Sequence, residues 1–277
     1  HTDNRRQRQM CIRDRSSAMH ELSVISNNVS NANSNGFKKS LVAFSDFAGG
    51  LLPDAIENVS SGMGSFVDET RISDGQGAVL ATENITDMAL IGNGFFAIQN
   101  VNDNSVSFTR NGAFGLDENG FLTTGDNYRV LGAPLVDGAF APIAGGVETL
   151  FPIQIPARQE DVVMSELNIA QDGKISARYG DEENLTPISS LTLGIFSNPA
   201  GLKELGNARF SATENSGLLT LGSPLEAGFA ELKTGLLEQS NVNVTDELTA
   251  MIKAQQQFNG SARLMQANSD MVEKLTR

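Results

Sequence analysis

Cysteine is almost absent: Cys11 is the only one in 277 residues. That excludes a disulfide framework and any thiolate cluster for a metal. In a chain that ends up outside the cytosol the lack of thiols would avoid stray oxidation, although the rarity of cysteine explains it equally well. The two histidines, His1 and His20, offer no imidazole cluster for a metal or a catalytic triad. No run of eighteen apolar residues occurs, so no transmembrane helix and no direct membrane insertion are expected. No basic n-region followed by an apolar h-region is seen, so no cleaved signal peptide is expected. The run GNGFF, Gly92 to Phe96, lacks the spacing of a phosphate-binding loop. Asp117-Glu118-Asn119-Gly120 falls short of a calcium loop, and the acidic run Asp181 to Glu183 reads as a solvated loop. Basic side chains are few, and a net charge of −13 weighs against a nucleic-acid partner. Tryptophan is missing and there are two tyrosines, so fifteen phenylalanines, many beside glycine, must supply the bulk of the core. No residue set points to an enzyme or a cofactor.

Periodicity is strongest in the last stretch, Ser240 to Arg277. Steps of four and three land on Val244, Leu248, Met251, Gln255, Phe258, Ala262, Met265, Ser269, Val272 and Thr276. That is a narrow apolar seam with the spacing of a coiled coil. Thr245 is the expected N-cap, followed by Asp246 and Glu247 at the positive end of the helix dipole. Gly260 is the one weak point, costing about 1 kcal/mol relative to alanine. Near the other end, Ala18, Leu22, Ile25, Val29 and Ala32 repeat the same spacing, so the two terminal helices are expected to pair. Two ordinary amphipathic helices docked on a globular core would give the same pattern.

The first fifteen residues differ from the rest. They carry five arginines and two aspartates, while the remainder holds 15 basic and 31 acidic side chains. Without apolar periodicity they read as a disordered or non-native leader, with a basic arm as the alternative. After the N-terminal helix, Asn27 to Phe37 is rich in asparagine, with Gly36 expected to stop the helix and Phe37 to pack back. Lys38 and Lys39 then sit favourably near a helix end. Phe44, Phe47, Leu51, Leu52 and Pro53 lie in a loose, extended connector.

The centre reads as β structure. Strands are expected at 87–91, 95–99, 107–109, 121–123, 129–131, 167–170, 174–178 and 190–196. Hairpin turns are expected at Asn93-Gly94, Asn111-Gly112, Asn119-Gly120 and Asp172-Gly173. The proline- and glycine-containing stretch 138–156 belongs at edges, and 198–206 forms a short helix or turn. Arg110 serves either an internal ion pair or a contact between subunits.

The segment NNVSNANSNGFKKS, Asn27 to Ser40, resembles the N-terminal signature of the rod and hook proteins of the bacterial flagellum. Leu237 to Leu275 resembles that family's C-terminal signature. Asp87 to Ile98 and Phe108 to Gly132 resemble its β-domain hallmark, and the resemblance runs from Ser16 onward. It singles out Asn27, Asn28, Asn31, Ala32, Asn33, Gly36, Phe37 and Lys38 as an N-terminal motif. Asp87, Gly92, Gly94, Phe95, Phe96, Thr109, Arg110, Gly112, Phe114 and Gly120 form its β-domain motif. Asn241 and Val242, with Val244, Leu248, Met251, Gln255, Phe258, Ala262, Met265 and Val272, form the assembly seam.

The expected fold is α+β, with terminal coiled-coil helices flanking an inserted mainly-β domain. The divisions are 1–15 leader, 16–37 N-terminal helix, 38–76 connector, 77–235 β-rich outer domain and 236–277 C-terminal helix. The resemblance implies a homo-oligomer in a helical tube that transmits motor torque, exported without a cleaved signal to a rod spanning the periplasm. Its partners would be neighbouring rod and hook proteins, the surrounding basal-body rings, and the export apparatus with its caps. Length and the SNVNV run favour the distal rod over the proximal rod, with a compact hook subunit third. A secreted β-domain adhesin is the reading from another class, and a phage or secretion-system tube component shares the tube logic.

Overall fold

The computed structural model describes residues 2–46, 65–136, 139–140, 145–159, 162–180 and 185–276. Phe47, Leu51, Leu52, Pro53 and the acidic run Asp181 to Glu183 lie outside them. The chain divides into two units. One comprises His1–Ala32, Lys39–Ser73 and Val242–Arg277, and the other Asn33–Lys38 and Asp74–Asn241.

In the first unit α1 (Thr2–Ser30) packs against α2 (Val244–Thr276) and against an antiparallel pair, β1 (Ser40–Asp46) and β2 (Ser65–Ile72). The expected disordered leader is corrected here: residues 2–15 continue α1 without a break. They contain no glycine or proline, and arginine, glutamine and methionine extend an existing helix at little cost. Arg15 places its guanidinium 4.7 Å from the centre of the Phe258 ring. The helix ends at Ser30, not near Phe37, and turns follow it. The extended connector is partly a paired β structure: β1, with its apolar run Leu41–Phe44, pairs antiparallel with β2, and a bulge falls between Ala43 and Phe44.

Both faces of the seam are legible in burial. Ala18 and Ile25 are buried, with Leu22, Val29 and Ala32 half-buried. On α2 the buried line is Glu247, Ala254 and Ser261, flanked by half-buried Met251, Phe258 and Met265. The spacing of four and three holds, but one of its two rows lies one residue earlier than expected. Ala262 remains half-buried beside it, while Val244, Leu248 and Gln255 are exposed. Small residues at 254 and 261 let the helices approach, which a line through larger side chains would prevent. The Val272 side chain lies outside the described residues. The cap is Asn243, whose Oδ1 accepts from the Thr245 N–H at 3.0 Å, so Thr245 is already inside the helix. The expected helical segment from residue 236 is also corrected: Leu236–Glu238 is a strand of the second unit.

The second unit is antiparallel β structure. Its strands include β3 (Val79–Ala81), β4 (Met88–Ile91), β5 (Phe95–Asn100), β6 (Val106–Thr109), β7 (Phe114–Leu116), β8 (Leu122–Thr124) and β9 (Tyr128–Ala133). The main sheet runs from Val162–Ile169 through Lys174–Tyr179, Thr186–Leu191, β9, β5 and β6 to Arg209–Ser211 and Lys203–Gly206. Seven of the eight expected strands each fall on one observed strand, while 190–196 is divided between Thr186–Leu191 and Leu193–Phe196, which pair with different neighbours. Residues 199–201 form a short 3-10 turn, but Lys203–Gly206 is an edge strand paired antiparallel with Arg209–Ser211. Phenylalanines knit the interior edge to face: Phe96 meets Phe114 at 5.1 Å and Phe108 meets Phe196 at 4.8 Å between ring centres.

Only two of the four expected turns are hairpins. Asn119-Gly120 joins β7 to β8, where Asp117 Oδ1 accepts from the N–H groups of Asn119 and Phe121. Asp172-Gly173 joins Val162–Ile169 to Lys174–Tyr179. Asn93-Gly94 and Asn111-Gly112 instead carry the chain between strands that pair elsewhere. Gly112 is required by proximity, since a Cβ there would overlap the Met88 carbonyl oxygen.

Two substitutions separate these roles. Gly112→Ala is expected to lower stability by about 3 kcal/mol or more, because a backbone must move. Gly260→Ala in α2, where a Cβ meets open space, is expected to stabilise by about 1 kcal/mol and raise helicity. Urea unfolding with circular dichroism reads both.

Candidate functional site

The chain enters and leaves the second unit along neighbouring strands. Leu236–Glu238 pairs with β3, and Glu231–Thr234 pairs with β4. Glu238 ends the leaving strand with its side chain inward, 1% exposed. Its Oε1 accepts from Lys38 Nζ at 2.6 Å and from the Gly77 N–H at 2.9 Å, and its Oε2 faces an Arg110 Nη at 3.4 Å. Lys38 also donates to the Gly75 carbonyl at 2.8 Å. Arg110 donates to the carbonyls of Gly92 at 2.5 Å and Leu90 at 3.4 Å, and its guanidinium lies 5.4 Å from the Phe95 ring centre. Gln76 closes the same neighbourhood, donating to Leu90 O and accepting from the Gly92 N–H.

Backbone contacts reinforce the junction. The Gly36 N–H donates to Glu238 O at 2.7 Å, Gln239 N–H to Ala78 O at 2.7 Å, and Asn241 N–H to Phe37 O at 3.3 Å. Asn241 Nδ2 donates to Gly75 O at 2.8 Å. Gly36 has φ +67°, and a Cβ there would overlap the Asn111 backbone. Its left-handed conformation therefore serves this close approach, six residues past the helix end, and does not stop the helix. Lys38 likewise does not compensate a helix end: it is buried among carboxylate and carbonyl oxygens.

Two cations and one carboxylate leave the cluster with an excess positive charge, which three carbonyls offset. Burial pushes the Lys38 ammonium below the usual lysine range, and the Glu238 carboxylate opposes that shift. Burial lowers Arg110 in the same way, again against Glu238. Arg110 is thus an internal ion-pair partner, one of the two roles open to it in the sequence.

A second buried polar knot lies in the first unit. Asn28, 1% exposed, exchanges two hydrogen bonds of 2.9 Å with the backbone of Ser40 and donates at 3.1 Å to Glu247 Oε2. Lys39 approaches Glu247 at 4.0 Å. Asn31, just past the end of α1, donates its Nδ2 to the carbonyl and Oδ1 of Asn27, each at 3.0 Å. Asn33 is exposed on an open cleft of about 390 Å³ shared with Asn111, Asp126 and Arg209.

The β-domain motif residues hold the same junction or the core beneath it. Asp87 bridges to Ala113, and its carbonyl accepts from Gly235 N–H. Gly92 and Gly94 have positive φ, and Thr109 binds Ala208 O while accepting from the Asn111 N–H. Phe95, Phe96 and Phe114 are core. Glu238 and Gln76 were missed by sequence reasoning. No local signal marks Glu238: the demand for a carboxylate comes from Lys38 and Arg110, which are buried only in the folded chain.

A β-rich insertion between terminal helices, locked where the chain passes in and out, defines a structural subunit. Among the described residues no group of three or more histidines, cysteines and acidic residues could hold a metal, and no helix there is long and apolar enough to cross a membrane. Residues 89–177 match the flagellar hook protein FlgE/F/G D1 domain, and residues 233–277 match the flagellar basal body rod FlgEFG protein C-terminal domain. The flagellar basal-body rod protein FlgG of Bacillus subtilis is 33% identical over 267 residues, covering 92% of each chain. Those of Agrobacterium fabrum and Borreliella burgdorferi are each 29% identical, covering 92% and 91% of both chains. The chain belongs to the flagellar basal-body rod protein FlgG family. It is a structural protein of the flagellar basal body, not an enzyme.

The junction makes an asymmetric prediction. Glu238→Gln strands two buried cations and is expected to cost about 3–5 kcal/mol, whereas Lys38→Met leaves Glu238 paired with Arg110 and costs less. The pH dependence has a definite sign. Between the lowered folded value of Lys38 and the ordinary lysine value the unfolded chain binds more protons, so this group makes stability rise with pH across that window. Chemical denaturation at several pH values should show that rise in the parent chain and lose it in Lys38→Met.

Proposed function

We propose that the chain is a subunit of the distal rod, polymerising into a helical tube that transmits motor torque and surrounds an export channel. In this reading the terminal helices form a coiled-coil inner layer and the β-rich unit an outer one. The observation that carries the reading is the apolar surface α2 leaves exposed. Val244, Leu248 and Ile252 are exposed on one flank of the rows that face α1, and Leu264 (65%) and Met271 on the other. Apolar side chains exposed on both flanks of a long helix in a structural subunit call for further copies. Copies related by an operation that does not close on itself grow as a helix.

The relatives favour rod over hook. The hook protein FlgE of Borreliella burgdorferi matches 41% of this chain and 26% of its own length, far less than the rod proteins do. The assembly seam then combines Val244 and Leu248, facing other copies, with Met251, Phe258, Ala262 and Met265, facing α1. Partners on this reading are neighbouring rod and hook proteins, the basal-body rings and the export apparatus. The chain would reach its periplasm-spanning site without a cleaved signal peptide.

The test is concentration-driven assembly followed by electron microscopy and circular dichroism. Straight tubes with a gain of helix are expected for the parent chain. Leu248→Asp/Ile252→Asp removes two exposed apolar anchors worth about 1.5 kcal/mol or more each when buried. It should raise the critical concentration more than tenfold while the β signal stays unchanged. Equal assembly of that variant would refute the seam, and curved tubes would favour a hook subunit.

A further inference from the structure

The apolar packing of α1 on α2 does not by itself choose one register. The buried line of α2 repeats every seven residues as Glu247, Ala254, Ser261, and its half-buried companion as Met251, Phe258, Met265. The facing side of α1 carries Cys11, Ala18 and Ile25 at the same interval. Because each row of α2 is uniform in size beyond Glu247, sliding α2 by one heptad, about 10 Å along the axis, gives these α1 residues neighbours of the same size as before. Apolar contacts therefore tolerate it.

We propose that Asn28 and Glu247 pin the register of the two helices, excluding a slide in either direction. Asn28 is itself fixed, because its amide exchanges both backbone bonds with Ser40 and so cannot follow a sliding helix. Its second N–H points at Glu247 Oε2, 3.1 Å away. Sliding α2 one way brings Ala254 opposite Asn28, leaving a buried N–H with no acceptor. Sliding it the other way brings Glu247 opposite Glu21, one heptad before Asn28. Two carboxylates would then meet in surroundings where burial already pushes the Glu21 carboxyl up. A single buried polar position that sets register at some cost in stability is a known device of paired helices. The pin concerns one chain and stands whether or not copies assemble.

The experiment measures spin-label distances in the full chain with Cys11→Ser. Labels go on cysteines introduced at exposed Ser26 and Arg263, and labelled chain is diluted into unlabelled chain. These sites are offset along the axis, so a heptad slide changes their separation by several ångströms, well outside the width of one population. The parent chain and Glu247→Gln, which keeps an acceptor, should give one narrow distance. Glu247→Leu leaves Asn28 bonded to Ser40 and should add a second, displaced population with helix content retained. One unchanged distance in Glu247→Leu would overturn the proposal. So would several distances in the parent chain, Glu247→Gln behaving like Glu247→Leu, or a loss of helix in Glu247→Leu.

Discussion

A carboxylate removed from water needs partners worth several kcal/mol to remain charged, and Glu238 has them from three parts of the chain. Lys38 arrives from the asparagine-rich turn after α1, Gly77 from the segment before β3, and Arg110 from the end of β6. None of these is near Glu238 in sequence. The carboxylate is satisfied only when all the segments that pass into and out of the β-rich unit are in place together. The glycines at 36 and 112 allow that closeness, and Phe95 and the β4–β5 region supply the apolar floor.

Asn28 solves the matching problem in the helical unit. Packing of small and apolar residues holds the helices without deciding their alignment, and one amide bonded to both β1 and α2 decides it. Both knots lie within or beside the terminal motifs, so those motifs are physically the sites where distant segments are tied. A structural subunit of the rod family gains from this: its ends must be placed reproducibly, since they carry the exposed apolar side chains of α2.

Much of this was legible in sequence. Strand positions followed from alternation, and the pairing of the ends followed from the repeated spacing at Ala18 to Ala32 and Val244 to Met265. Errors arose where long-range contact overrode local signals. Asn111-Gly112 has hairpin chemistry, yet its glycine is there to pass under Met88. Residues 2–15 lack an apolar stripe, yet an adjoining helix carries them along. The α2 seam shifted by one residue in one of its rows because small Ala254 and Ser261 permit a closer approach than Leu248 and Gln255. Glu238 was invisible because nothing local marks a buried acid, and its need arises only from cations 128 and 200 residues away.

The central claim is that Glu238 closes the β-rich unit, and amide hydrogen exchange tests it most directly. The N–H groups of Gly36 and Gly77 bond to Glu238 and lie outside any regular strand. They should exchange as slowly as the core amides of β5, opening only when the whole unit unfolds. Exchange of Gly36 and Gly77 at the rate of exposed loop amides such as Asn102, with β5 still protected, would contradict the account.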